Sequence, residues 1–162
     1  QNSNFNSLLR SQIMRYADTS TCIPMPEPRT FAGLMEIYET NYINLRRLCG
    51  NINILDEWVI SQVQTGLDLH LRIVDRAKYT LTLKLTYQFT DGISQRIDEY
   101  PDLLVRVYFD AKQAEVLKVF STESNRHIDY RQRLFKKWCD NRFLYKWLKY
   151  CLNEGHHFHK LG

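Results

Sequence analysis

Eight cations crowd one short stretch of this chain: Arg126, Arg131, Arg133, Lys136, Lys137, Arg142, Lys146 and Lys149, against Asp129 and Asp140 alone. That surplus exceeds the +4 of the whole chain, so the remainder is slightly acidic. Tyr130, Phe135, Trp138, Phe143 and Tyr145 are interleaved with these charges. Cations neutralise phosphates and aromatic rings stack on bases, so such a mixture could hold RNA or single-stranded DNA. The plainer account is a solvated helix face whose cations are drawn to a helix C-terminus by the macrodipole.

A second set surrounds an expected hairpin: Arg106, Tyr108, Asp110 and Glu115. Two carboxylates beside a phenol and a guanidinium could bind a polar ligand or exchange protons with it. The duller account has Asp110 closing the turn with its own side chain, while Arg106 and Glu115 pair across adjacent strands. No nucleophile or metal set stands at a defined spacing, so catalytic residues are not assigned and no cofactor is expected.

The tail holds His156, His157 and His159 after Cys151. Imidazoles at this density capture zinc or nickel loosely, but a structural site needs four converging ligands, so no functional metal is expected. His70 and His127 stand alone and read as ordinary hydrogen-bonding residues. The four cysteines form no CxxC pair and read as small buried hydrophobes in a reducing compartment.

The elements that must position these groups follow from periodicity. Leu67, Leu69, Leu71 and Ile73 alternate with polar residues, as do Tyr79, Leu81, Leu83, Leu85, Tyr87 and Phe89. A period of two over such lengths is strand with one buried and one wetted face. Trp58–Gln64, Leu103–Phe109 and Ala114–Phe120 supply a first, a fourth and a fifth strand. Asp91-Gly92 marks a turn, and the polar stretch to Pro101-Asp102 reads as a loop. Thr30 is a plausible N-cap for a helix whose stripe is Leu34, Met35, Tyr38, Tyr42, Leu45, Leu48 and Cys49, with Gly50 as its stop. After Ser121 the spacing turns helical again: Leu134, Phe135, Trp138, then Leu144, Trp147, Leu148, Cys151 and Leu152, ending at Gly155.

Ahead of all this, Phe5, Leu8, Leu9, Ile13 and Tyr16 have helical spacing, and Pro24, Pro26 and Pro28 impose an extended linker. A tethered amphipathic helix docks on a partner or covers the open face of its own sheet. The domain expectation is residues 1–29 as helix plus linker, and 30–162 as one domain. The fold expectation is α+β: a five-stranded antiparallel meander packed by an N-terminal helix and one or two C-terminal helices.

Composition agrees with a folded chain, at 44% apolar and 13% aromatic residues. No apolar run approaches the roughly 18 residues of a membrane span. Because the chain opens on Gln1, residues upstream, a trimmed signal peptide among them, are left open.

Several phrases carry a resemblance. "LMEIYETNYINLRRL", "VRVYFDAKQAEV" and "FLYKWLKYCLNEG" resemble the YqiB-like family of bacterial proteins, a family without an assigned function. The residues concerned are Tyr42, Leu45, Arg46, Arg47, Leu48 and Tyr79, then Arg106, Tyr108, Asp110, Ala111, Ala114, Glu115 and Val116. Trp147, Leu148, Tyr150, Cys151, Leu152 and Gly155 complete them. The likeness covers roughly residues 30–155; residues before that read as an addition, and "RQRLFKKWCDN" replaces other phrases of the family. The resemblance implies a small bacterial cytoplasmic protein and lends no activity.

The resulting expectation is a non-enzymatic cytoplasmic interaction module with a protein partner, docking through Trp138 or the Phe5, Leu8, Leu9 and Ile13 face. Nucleic-acid binding through Arg131, Arg133, Lys136, Lys137, Arg142, Lys146 and Lys149 comes second, and ligand binding around Arg106, Tyr108, Asp110 and Glu115 third. The oligomeric state is open.

Overall fold

The computed structural model describes residues 11, 30–64, 66–90, 93–119 and 129–158. Thr30 opens helix α1 (Phe31–Cys49), its Oγ1 accepting the Gly33 N–H at 3.0 Å. Gly50 closes the helix at a φ of 64°, where glycine alone escapes a Cβ penalty, and its N–H reaches the Arg46 carbonyl at 2.8 Å. A 3-10 turn (Ile52–Ile54) leads into five antiparallel strands: β1 (Trp58–Ser61), β2 (Leu69–Arg76), β3 (Thr80–Thr90), β4 (Ile97–Tyr108) and β5 (Gln113–Val119). Each pairs with the next, so the sheet is a plain meander in chain order. Asp129 then starts helix α2 (Tyr130–Asn153) with a capping box to Gln132. Among the described residues one unbroken helix thus fills the C-terminal part. The α+β architecture read from the sequence is the observed one.

The alternating positions separate as their period demands. Leu71, Leu85 and Leu103 lie in one cross-strand row, and Ile73, Leu83, Val105 and Val116 in another. Both rows are buried and meet Leu45 and Leu48 of α1 and Leu144, Trp147 and Leu148 of α2. Each such leucine contributes about 2 kcal/mol by leaving water. A smaller cluster joins the two helices to each other through Leu34, Ile37, Tyr38 and Trp138.

Strand β4 begins at Ile97 rather than Leu103. Pairing steps from Leu85↔Leu103 to Tyr87↔Tyr100, so Thr86 faces both Pro101 and Asp102 across a bulge. A proline is tolerated there because no ladder N–H is required of it, although in the sequence it reads as a strand breaker.

Two buried amides knot the layers through three hydrogen bonds. Asn41 of α1 donates Nδ2 to the Asn141 carbonyl at 3.1 Å, and Asn141 Oδ1 accepts the Val116 N–H of β5 at 2.8 Å. Asn141 Nδ2 closes on the Lys137 carbonyl at 2.8 Å. The outer side of β5 is thereby tied to both helices. At the far end, the Phe158 N–H reaches the Leu48 carbonyl at 2.9 Å and pins the C-terminal segment to α1. Cys49 and Cys151 are buried as small apolar groups, whereas Cys139 is exposed, contrary to expectation. Among the described residues no helix is long and apolar enough to cross a membrane.

Candidate functional site

The face of the sheet turned away from the main core is built from the polar half of each alternation. Its rows follow from register: Trp58, Arg72, Lys84 and Leu104 lie side by side, as do Ile60, His70 and Thr86. Thr82, Arg106 and Glu115 form the next row toward the β4–β5 hairpin, followed by Thr80, Tyr108 and Gln113. Two groupings of side chains that are far apart in sequence therefore share one surface.

The first grouping contains three of the four residues singled out around the hairpin. Tyr108 donates its hydroxyl to Glu115 Oε1 at 2.6 Å, and Lys137 of α2 reaches Glu115 Oε2 at 3.4 Å. Arg106 stands opposite Glu115 in register but sends its Nε to Thr82 Oγ1 at 3.3 Å. Burial, reinforced by the Glu115 carboxylate, raises the pKa of Tyr108. Burial, and after it the same carboxylate, pushes up Tyr38 of α1. Asp110 is not part of this grouping: its Oδ1 accepts the Ala111 N–H at 2.9 Å and closes the turn. Glu115 is thus a junction between β4, β5 and both helices, with its oxygens already engaged.

The second grouping lines a recess across β1 to β4: Trp58, His70, Arg72, Lys84, Thr86, Gln88 and Glu99. Trp58 donates Nε1 to His70 Nδ1 at 3.3 Å. Indole is a donor only, so His70 keeps its proton on Nε2. Burial holds the His70 pKa down and favours the neutral ring. Lys84 pairs with Glu99 and, at 3.1 Å, with Asp102. Burial alone would lower its pKa, but these two carboxylates raise it. The Lys84 ammonium in turn holds the Glu99 carboxyl down, and Gln88 donates to the other Glu99 oxygen at 3.2 Å. Arg72 differs from these. Its guanidinium lies 5.4 Å from the centroid of the Trp58 ring, and no hydrogen bond or ion pair engages it among the described residues.

No spacing in the sequence gathers this recess, because its members come from four strands and meet only through register. The available signal was the wetted half of each strand, where Trp58 stands out as a large aromatic on a polar face.

The cations of α2 divide by position. Arg131, Arg133, Lys136 and Lys137 are exposed in its N-terminal half, with Tyr130 and Phe135 exposed beside them. Lys136 pairs with Asp140 one turn on, at 2.6 Å. Arg142 and Lys149 are half-buried, and the Arg142 guanidinium lies over the Trp138 ring. Lys146 and Trp138 are buried, at 6% and 5% exposure. Of the expected nucleic-acid contacts, Arg142, Lys146 and Lys149 therefore form no open surface, and Trp138 is not an open docking group. The reason is coverage: Leu144 to Leu148 are all buried, since α1 and the sheet enclose this half of α2.

Phe5, Leu8, Leu9 and Ile13 lie outside the described residues, as does His159. His156 is turned inward, its Nδ1 3.0 Å from Ser61 Oγ, and His157 stays outside. Among the described residues no three His, Cys, Asp or Glu side chains converge to hold a metal.

Residues 44–157 match the profile of a family described as "Protein of unknown function (DUF1249)". The chain is similar to proteins named "Uncharacterized protein YqiB" from Escherichia coli K12 and from strains O6:H1 and O157:H7. Each is 33% identical over 132 residues, covering 77% of this chain and 90% of the relative. No solved structure matches.

Proposed function

Because this chain belongs to the YqiB-like family of proteins of unknown function (DUF1249), and membership carries no activity, we propose a function from the surface alone: a non-enzymatic module that binds single-stranded nucleic acid. The observation that carries this reading is where the cations of α2 stand. The macrodipole favours cations at a helix C-terminus. Arg131 and Arg133 instead lie in the first turns of a helix that begins at Tyr130, and its last turn has no basic residue. Each misplaced cation costs helix stability, by about 0.3–1 kcal/mol at an exposed terminus. Arg131 and Arg133 have no ion pair among the described residues to offset that cost. Charge held at an electrostatically poor place is explained by an anionic partner.

The basic half-helix also adjoins the open sheet face, since Lys137 reaches Glu115 on β5. Phosphates would lie along Arg131, Arg133, Lys136 and Lys137, and aromatic groups would face the bases. The proposed setting is a bacterial cytoplasm, where thiols such as Cys49 and Cys151 stay reduced.

The test is fluorescence anisotropy of labelled single-stranded RNA and DNA 12-mers between 50 and 200 mM salt. Four phosphate contacts give a log–log salt slope of about −3, from about 0.7 per contact. The quadruple variant Arg131→Glu, Arg133→Glu, Lys136→Glu, Lys137→Glu should abolish binding. Absence of binding at 50 mM, or equal binding by that variant, overturns the reading. A partner captured equally with and without nuclease would point to protein instead.

A further inference from the structure

We propose that the exposed ring of Trp58, at the rim of the recess that runs to Glu99, is the stacking surface for a single unpaired nucleobase, whose edge faces the polar groups of the recess, with Arg72 beside it for the adjoining phosphate. This rests on the nucleic-acid reading above and adds to it a second, chemically different contact.

Three observations select a base over other occupants. The recess is lined by Arg72 and Lys84 against Glu99, and Lys84 is also paired with Asp102 beyond the lining, so a simple anion finds little net attraction. Its polar rim offers both kinds of hydrogen-bonding group. The Nε2–H of His70 donates, fixed by the Trp58-to-Nδ1 bond, while the Glu99 oxygens keep lone pairs beyond those used by Lys84 and Gln88. A nucleobase edge carries donors and acceptors together; a carboxylate, a phosphate or an aliphatic side chain does not. Finally, Trp58 is 51% exposed on this face, and the Arg72 guanidinium lies against its ring while its charge also helps hold the Glu99 carboxyl down. Arginine in such a place binds phosphate oxygens through a planar fork, and an exposed indole gains most from stacking.

The site demands an unstacked base, because the rings of a duplex are covered by their neighbours. Register sets the geometry of the track. Trp58 lies on β1 and Glu115 on β5, four strand spacings or about 19 Å apart. A short single strand could therefore touch the α2 cations and the recess together.

The experiment uses the full chain with single-stranded 12-mers and a duplex of the same sequence. Trp58→Ala should weaken single-strand binding by roughly tenfold or more at every salt concentration, because stacking is not screened. Its salt line should run parallel to that of the unmodified protein, and Trp58→Phe should retain most of the affinity. Trp138 and Trp147 are buried, so Trp58 is the indole open to a ligand. Its emission should be quenched by the single strand, and the quenching should vanish in Trp58→Ala. If Trp58→Ala binds as the unmodified protein does while the α2 variant fails, this inference falls and the reading above stands. Tighter binding of the duplex than of the single strand likewise removes the base seat. No binding of any oligonucleotide removes both.

Discussion

The imidazole of His156 meets the hydroxyl of Ser61 at 3.0 Å across 95 positions of sequence, joining the segment after α2 to the edge strand β1. Ser61 Oγ also accepts the His157 N–H at 3.0 Å, so one hydroxyl ties two consecutive residues of that segment to β1. The imidazole is fully buried and stays neutral, since burial lowers its pKa from 6.5. Below pH 6.5 the unfolded chain takes up this proton before the folded one does, so stability present above 6.5 is lost as the pH falls through the folded value. His70 is shifted in the same direction and adds to the effect. Urea midpoints measured from pH 8 to 5 should fall below about 6.5, and His156→Gln should flatten that fall. A curve unaltered by His156→Gln would show that other groups carry it.

Asn141 holds three partners, one each from α1, β5 and α2 itself. Its carbonyl bond to Asn41 survives substitution, but the two side-chain bonds do not. Asn141→Leu should destabilise by about 1–3 kcal/mol, because the buried Val116 N–H loses its partner, whereas the Lys137 carbonyl keeps its bond within the helix. Denaturant unfolding measures this, and a loss below about 1 kcal/mol would mean that water replaces the amide.

Tyr108→Phe removes one donor from Glu115 and leaves Lys137 in place. The expected cost is about 1–2 kcal/mol, the range of a charge-assisted hydrogen bond at a partly open site. Asp110→Asn should be nearly neutral by the same assay, since an asparagine oxygen can still accept the Ala111 N–H. Equal effects of the two would contradict the division of this set into a junction and a turn.

Lys146 is a poor probe of nucleic-acid contact. Placing a carboxylate where its side chain is buried should cost roughly 2 kcal/mol or more. Lys146→Glu should therefore lower the melting temperature, whereas Arg131→Glu and Arg133→Glu leave it unchanged or raise it by relieving the helix terminus.

The strands β2 and β3 and both helices could be read from the chain because their signals are local. Leu81, Leu83 and Leu85 declare a face by period alone, and Thr30 and Gly50 bracket α1 by cap chemistry. What escaped depends on neighbours in space. Pro101 hides the first part of β4, since its tolerance comes from a bulge set by β3. Thr82 and Thr86 are buried on a face that reads as wetted, because longer side chains around them close over short ones. Lys146 sits at an exposed-looking spacing on a helix covered all round at that level. The recess is the extreme case: Trp58 and Arg72 face each other only through strand pairing.

Asn141 has one further effect. By occupying the Val116 amide, and with α1 and α2 packed against β5, it closes that border of the sheet to a foreign strand. Fibril-like propagation and strand exchange are thereby confined to the opposite border, where β1 offers just four residues of backbone. The protein's resistance to self-association is thus lopsided: guarded by an amide lock on one flank, and by brevity on the other.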